Sequence, residues 1–100
     1  MKLIGLMSLE TYKEDVRKIF QKHDVQIFSE VSVTGYTAET VDMFSWWHLE
    51  KDMPIYSTLY FAIIPKDKAD EIMKAVQTFS KRADPQHPSR AFQVNVEKMV

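Results

Sequence analysis

Donor atoms suited to a cation or a proton transfer gather in one run, residues 39–57, "ETVDMFSWWHLEKDMPIYS", which holds Glu39, Asp42, His48, Glu50 and Asp52. Carboxylate oxygens and imidazole nitrogens suit divalent cations, so His48, Glu50 and Asp52 form a candidate metal set. The same residues also read as a solvated loop, because a single histidine has no second ligand at helical i,i+3 or i,i+4 spacing. Trp46 and Trp47 are neighbours in this run. In an extended chain they point to opposite sides, so one core does not readily bury both. Indoles combine a large apolar area with a polar handle and dominate contact energies. Trp46, Trp47, His48 and Tyr56 therefore read as a partner-contacting set, against the alternative that an indole packs over a sheet edge or a subunit crevice.

A second group lies in "SKRADPQHPSR", residues 80–90, where Lys81, Arg82 and Arg90 can meet an anion or form a solvated loop. No Ser-His-Asp order, paired-carboxylate spacing or glycine-rich phosphate loop is visible, and the only glycines are Gly5 and Gly35. Oxyanion nests built on glycine therefore have little to work with, and the chain is expected not to be an enzyme. The remaining catalytic reading is a small enzyme with Tyr36, His48, Tyr56 and Arg90 in a cleft. His23 falls near the end of a predicted helix, where a partly charged imidazole suits the local dipole. His87 lies between prolines.

These residues must be positioned by a chain of 100 residues, 45% apolar and 27% charged, with a net charge of −1. That length makes one domain, residues 1–100, and its composition is that of a compact globular unit. The basic residues are scattered, so the footprint of a duplex-binding protein is missing and nucleic acid is not an expected partner. Cysteine is absent, which excludes disulfides and thiolate chemistry and fits a reducing compartment. No run approaches the ~20 apolar residues of a membrane span. The protein is expected in the cytoplasm, without membrane insertion.

Leu3 to Leu9, "LIGLMSL", is apolar on both alternating sets, as in a strand covered on both faces. Thr11 and Glu14 have capping-box spacing. Tyr12, Val16, Ile19 and Phe20 then share one helix face. From Val25 the period changes to two, with Val25, Ile27, Val31 and Val33 predicting a strand with one strongly buried face, ended by Gly35. "TLYFAII", Thr58 to Ile64, is a second two-faced strand closed by Pro65. Asp67 is the expected N-cap of a helix carrying Ala69, Ile72, Met73, Val76 and Phe79 inward. Phe92, Val94 and Val96 alternate in a last strand. The order β-α-β-β-α-β is the ferredoxin-like, α+β arrangement, in which two helices cover one face of a four-stranded antiparallel sheet. Nothing in the sequence covers the other face, so copies are expected to pack sheet against sheet.

The opening "MKLIGLMSLETYKEDVRKIFQKHDVQIFSEVSVTGY", with Lys-Glu-Asp-Val at Lys13 to Val16 and the Gly35-Tyr36 pair, resembles PII-like signalling proteins. "IIPKDKADEIMKAVQTF" and "AFQVNVEKMV" are similar to that family's third strand, second helix and last strand. The resemblance to the nitrogen regulatory P-II and CutA-like superfamily, as a divergent member, implies a homotrimer whose sheets line a central barrel. It implies a regulatory protein that takes a small ligand in the cleft between subunits, lined here by Gly35, Tyr36, Lys81, Arg82 and Arg90. It also implies that loop 37–57 contacts a protein partner, such as a membrane transporter. The glycine-rich loop of the ATP-binding members is not matched by residues 80–90, so the cofactor is open. A divalent-metal or metal-efflux-associated role, through His48, Glu50 and Asp52, is the alternative that the same superfamily implies.

Overall fold

The computed structural model describes residues 1–35, 55–83 and 88–100. Strand β1 (Lys2–Leu9) leads through a 3-10 turn (Glu10–Tyr12) into helix α1 (Lys13–Lys22). Strand β2 (Ser29–Gly35) is followed by β3 (Ile55–Ile64), helix α2 (Lys66–Arg82) and β4 (Arg90–Asn95). The four strands form one antiparallel sheet in the order β2-β3-β1-β4. The expected α+β architecture is therefore present, with both helices on one face.

The core forms where the 3.6-residue stripes of the helices meet one alternating set of the central strands. Val16 and Phe20 from α1 and Ala69, Ile72 and Val76 from α2 close over Ile4 and Leu6 of β1 and over Tyr60, Ala62 and Ile64 of β3. Burial of each large apolar side chain is worth about 1.5–3 kcal/mol against exposure. Phe28 stacks on Phe20 with ring centroids 4.6 Å apart, and Phe20 lies 6.2 Å from Tyr60.

Both expected helix caps differ from the sequence reading. Tyr12, rather than Thr11, is the N-cap of α1, and no side chain caps it. The 3-10 turn precedes the helix, and Glu14 pairs with Arg17 at 3.1 Å instead of reaching back. For α2 the N-cap is Pro65, not Asp67; the Pro65 carbonyl accepts the Ala69 N–H at 3.0 Å. Proline ends the β3 ladder and begins the helix at once because it has no N–H to satisfy. Asp67 remains in the first turn, where its charge suits the helix dipole. At the far end of α1 the chain leaves through Asp24, whose φ of 65° is tolerated by a short polar side chain, and the Val25 N–H donates to the Phe20 carbonyl at 2.9 Å.

Strand β2 also departs from expectation. Of its expected apolar set Val25 is buried but precedes the strand, as does Ile27, which is 88% exposed, and Val31 within the strand is 47% exposed. Pairing places Val31 opposite Leu59 and Glu30 opposite Tyr60, so the valines share the uncovered face while Glu30 lies on the helix side. Glu30 is held there by Arg17 of α1, which donates from Nε at 3.1 Å and from Nη2 at 2.5 Å. Strand β4 is built the same way, with Phe92 and Val94 outward and Ala91 packed against the core. The uncovered face thus carries Val31, Phe61, Ile63, Phe92 and Val94, each more than two-fifths exposed.

Candidate functional site

Pairing sets the geometry of the sheet end where the expected ligand-binding residues fall. Gly35 is opposite Ile55, Leu9 opposite Ser57, and Arg90 opposite Met7. Gly35 and Arg90 therefore lie at the same end of the sheet but on its two outer strands. Three strand spacings of about 4.8 Å across the sheet and four residues of about 3.3 Å along it separate them by roughly 20 Å, so one chain does not bring them together.

Lys81 and Arg90 do share a cleft. A cleft of about 650 Å³ opens between the second half of α2 and the start of β4, and both residues line it with Lys74, Gln77, Ser80 and Ser89. Lys74, Gln77 and Lys81 share this wall because they are spaced at i, i+3 and i+7 on α2. The start of β4 is fixed by Ser89, whose Oγ lies 2.7 Å from Ser8 Oγ in a buried hydroxyl pair with β1. Ser8 is in turn opposite Thr58, so a row of small hydroxyl side chains runs through the covered layer at this end of the sheet.

The electrostatics of the cleft favour an anion. Lys74, Lys81 and Arg90 line it, and no carboxylate does so among the described residues. The Arg90 Nε is shielded from solvent without a hydrogen-bond partner among them. A guanidinium is always charged and donor-only, and an unsatisfied buried donor carries the desolvation penalty of its group. An oxyanion that reached it would supply the missing acceptor. Lys81 also complements the negative end of α2, which by itself accounts for a cation in the last turn.

Arg82 does not join this group. One position further round α2, it lines the groove between α2 and α1 instead, beside Asp15. Tyr36, Trp46, Trp47, His48, Glu50 and Asp52 lie outside the described residues, as do His87 and the side chain of Tyr56. Among the described residues no group of three acidic or histidine side chains could hold a metal ion, and no helix is long and apolar enough to cross a membrane. His23 Nδ1 sits 3.4 Å from Glu71 Oε2 at the seam of the two helices.

Sequence reasoning missed Lys74, Gln77 and Ser89. The polar stripe at 74, 77 and 81 is the same pattern that any solvated helix face shows. Ser89 gave no signal, since its role depends on Ser8, eighty-one positions away. The sequence reading also passed over the hydroxyls of β3. Tyr60 is fully buried, and neither its hydroxyl nor Thr58 Oγ1 has a well-formed hydrogen bond among the described residues. Burial pushes the Tyr60 phenol above its ordinary pKa, and its weak interaction with Thr58 only partly opposes that.

No family model and no curated protein matches the sequence. Solved structures do match. CPII of Thiomonas intermedia, a nitrogen regulatory PII-like protein, is similar to this chain in a form bound to ADP, AMP and bicarbonate: the TM-score is 0.66 at 13% identity, over 99% of this chain and 94% of that one. Its apo form gives 0.67 at 14% identity, over 95% and 89%. A PII-like protein of Thermus thermophilus gives 0.66 at 13% identity, over 95% and 84%. Sequence identity this low carries the fold alone, and the fold is that of the PII-like proteins.

Proposed function

We propose that this chain is a non-enzymatic, PII-like regulatory protein of the cytoplasm that binds a small anionic ligand between copies of itself and contacts a protein partner through residues 37–57. The observation that carries this reading is the cleft of Lys74, Lys81 and Arg90, with its unpartnered Arg90 Nε and no facing carboxylate among the described residues. Its place in the fold supports a ligand site shared by two subunits. Arg90 and Gly35 occupy opposite outer strands at one end of the sheet, so a ligand touching both must take them from different copies.

The uncovered sheet face supports the assembly. Phe61, Ile63, Phe92, Val94 and Val31 are exposed side by side, and a contiguous apolar patch of this kind marks an association surface. A homotrimer with these faces inward buries all of it. The ADP, AMP and bicarbonate bound by CPII are anions, and they define the first probes for this chain.

The test is titration calorimetry with ADP, AMP and bicarbonate in turn, with the mass of the same sample measured by light scattering. A trimer that binds one of them saturably, and loses most of that affinity on Arg90→Gln, is the expected result. A monomer, or a trimer that binds none of the three, overturns the reading.

A further inference from the structure

On the side of the helices turned away from the sheet, α1 and α2 leave a groove of about 510 Å³ between them. Ile19, Ala75 and Phe79 form its apolar floor, and Lys18, Lys22, Lys74 and Arg82 stand on its rim. The groove runs on past Asp15 and Phe79 to Ala83 at the end of α2, beside Tyr12. From Glu71 to Ala83 it follows α2 for about 18 Å at 1.5 Å per residue, the length of some three helical turns.

The charges along it are out of balance. Elsewhere in the described structure Lys13, Arg17 and Lys66 have carboxylate partners, while Lys68 donates to the Asp24 carbonyl and Lys2 to Asn95. The four rim cations have no such partner among the described residues. Asp15 and Glu71 are the two carboxylates on the rim, so the four cations leave an excess of two positive charges along the groove. An apolar floor between unpaired cations is complementary to a segment that is apolar on one side and acidic on the other.

We infer that the groove between α1 and α2 is a docking surface for an acidic, amphipathic helical segment of a partner protein. Two antiparallel helices present ridges into which a third helix packs, and such a segment would seat anchors at i, i+3, i+4 and i+7 on Ile19, Ala75 and Phe79. Its carboxylates would meet Lys18 and Lys22 on one rim and Lys74 and Arg82 on the other. The surface lies on the helical side of the domain, apart from the face that would close a trimer, so it is open in such an assembly as well.

The test uses a fluorescently labelled peptide of about 18 residues, five helical turns, made of leucine and glutamate at amphipathic helical spacing. A shuffled peptide of the same composition and phosphatidylglycerol vesicles are the controls. The expected result is saturable binding of the helical peptide that weakens with salt, with amide shift changes confined to residues 15–23 and 71–83. The double variant Lys18→Glu, Lys22→Glu should lose about tenfold or more in affinity while keeping the parent circular dichroism and thermal midpoint, since both side chains are exposed. Neither residue lines the Arg90 cleft, so nucleotide or bicarbonate binding is unaffected and the two readings fail separately. The inference is overturned by absence of saturable binding, by equal affinity for the shuffled peptide, by an unchanged affinity in the double variant, or by tighter binding to the vesicles.

Discussion

The ring of Phe92 lies flat across the α-carbon of Gly5: a β-carbon built on Gly5 would stand 2.2 Å from Phe92 Cζ. The two residues are directly paired between β1 and β4, and Gly5 is also paired with Phe61 of β3. Glycine is costly in a strand interior, yet here its missing side chain is the seat of an aromatic ring on the uncovered face.

Gly5→Ala should therefore destabilise the protein by about 1–2 kcal/mol, because the ring must leave its seat and overpacking outweighs the gain in strand propensity. In a Phe92→Ala background the same change should be neutral or stabilising. Urea unfolding of the four proteins of this cycle gives the coupling. Strictly additive effects would show that the ring does not rest on Gly5 in solution.

Phe61→Glu is expected to leave the protomer folded and to break the assembly. Phe61 is 41% exposed on the open face, so a charge there costs the isolated chain little but cannot be buried against an apolar neighbour. Light scattering of the parent should give three times the chain mass, falling to that of one chain in the variant. A parent that is already monomeric removes the role assigned to this face.

The helices were legible in the sequence because each carries a periodic stripe that only one arrangement buries, Val16 and Phe20 in α1 and Ala69, Ile72 and Val76 in α2, and the two central strands because both of their alternating sets are apolar. The outer strands were not legible in the same way. Alternation in Val31 and Val33 shows that one side of β2 is apolar, but period two does not say which side the helices occupy. The helix side was decided by Arg17, which draws Glu30 inward, and by Phe28, which stacks on Phe20. The caps were misread for a related reason. Side-chain capping competes with local alternatives, and here Glu14 found Arg17 while Pro65 ended a ladder and opened a helix in one step. Of the candidate site, Lys81 and Arg90 could be named from sequence, but Ser89 depends on a contact between distant strands.

Stability should fall on acidification through Glu30. The Arg17 guanidinium holds its carboxyl below the ordinary value of 4.5, by hydrogen bond first and by charge second. A group whose folded pKa is depressed stabilises the protein above its unfolded pKa, and that contribution is lost as pH falls through the folded value. The urea midpoint should thus be flat in this respect above about pH 5 and decline below about pH 4, and Glu30→Gln should flatten the decline. An unchanged acid limb in the variant would assign it to other carboxylates, Asp70 first, which Gln93 and Lys66 depress in the same way.

Tyr60→Phe is expected to be neutral or to stabilise by up to about 1 kcal/mol. The hydroxyl is buried without a well-formed hydrogen bond among the described residues, so its removal relieves a desolvation cost and keeps the ring that packs 6.2 Å from Phe20. A loss of more than about 1 kcal/mol on thermal or urea unfolding would mean that the phenol has a partner in solution.

Within the cleft, Arg90 and Lys81 should not contribute equally to anion binding. Arg90 rises from a strand fixed by the Ser8–Ser89 pair, and its Nε is shielded and has no partner among the described residues. Binding therefore satisfies a donor that is otherwise desolvated at a cost, without first ordering the backbone that carries it. Lys81 is exposed on the last turn of α2 and keeps its hydration until the anion arrives. Arg90→Gln is accordingly expected to weaken the bound nucleotide or bicarbonate about tenfold or more, as for one partner of a buried charged hydrogen bond, and to act mainly on dissociation. Lys81→Gln should cost about threefold, act mainly on association, and lose its effect as salt is raised. Stopped-flow rates at low and high salt separate the two. Equal, salt-sensitive losses would place both residues on a solvated rim and take the shielded Arg90 Nε out of the recognition step.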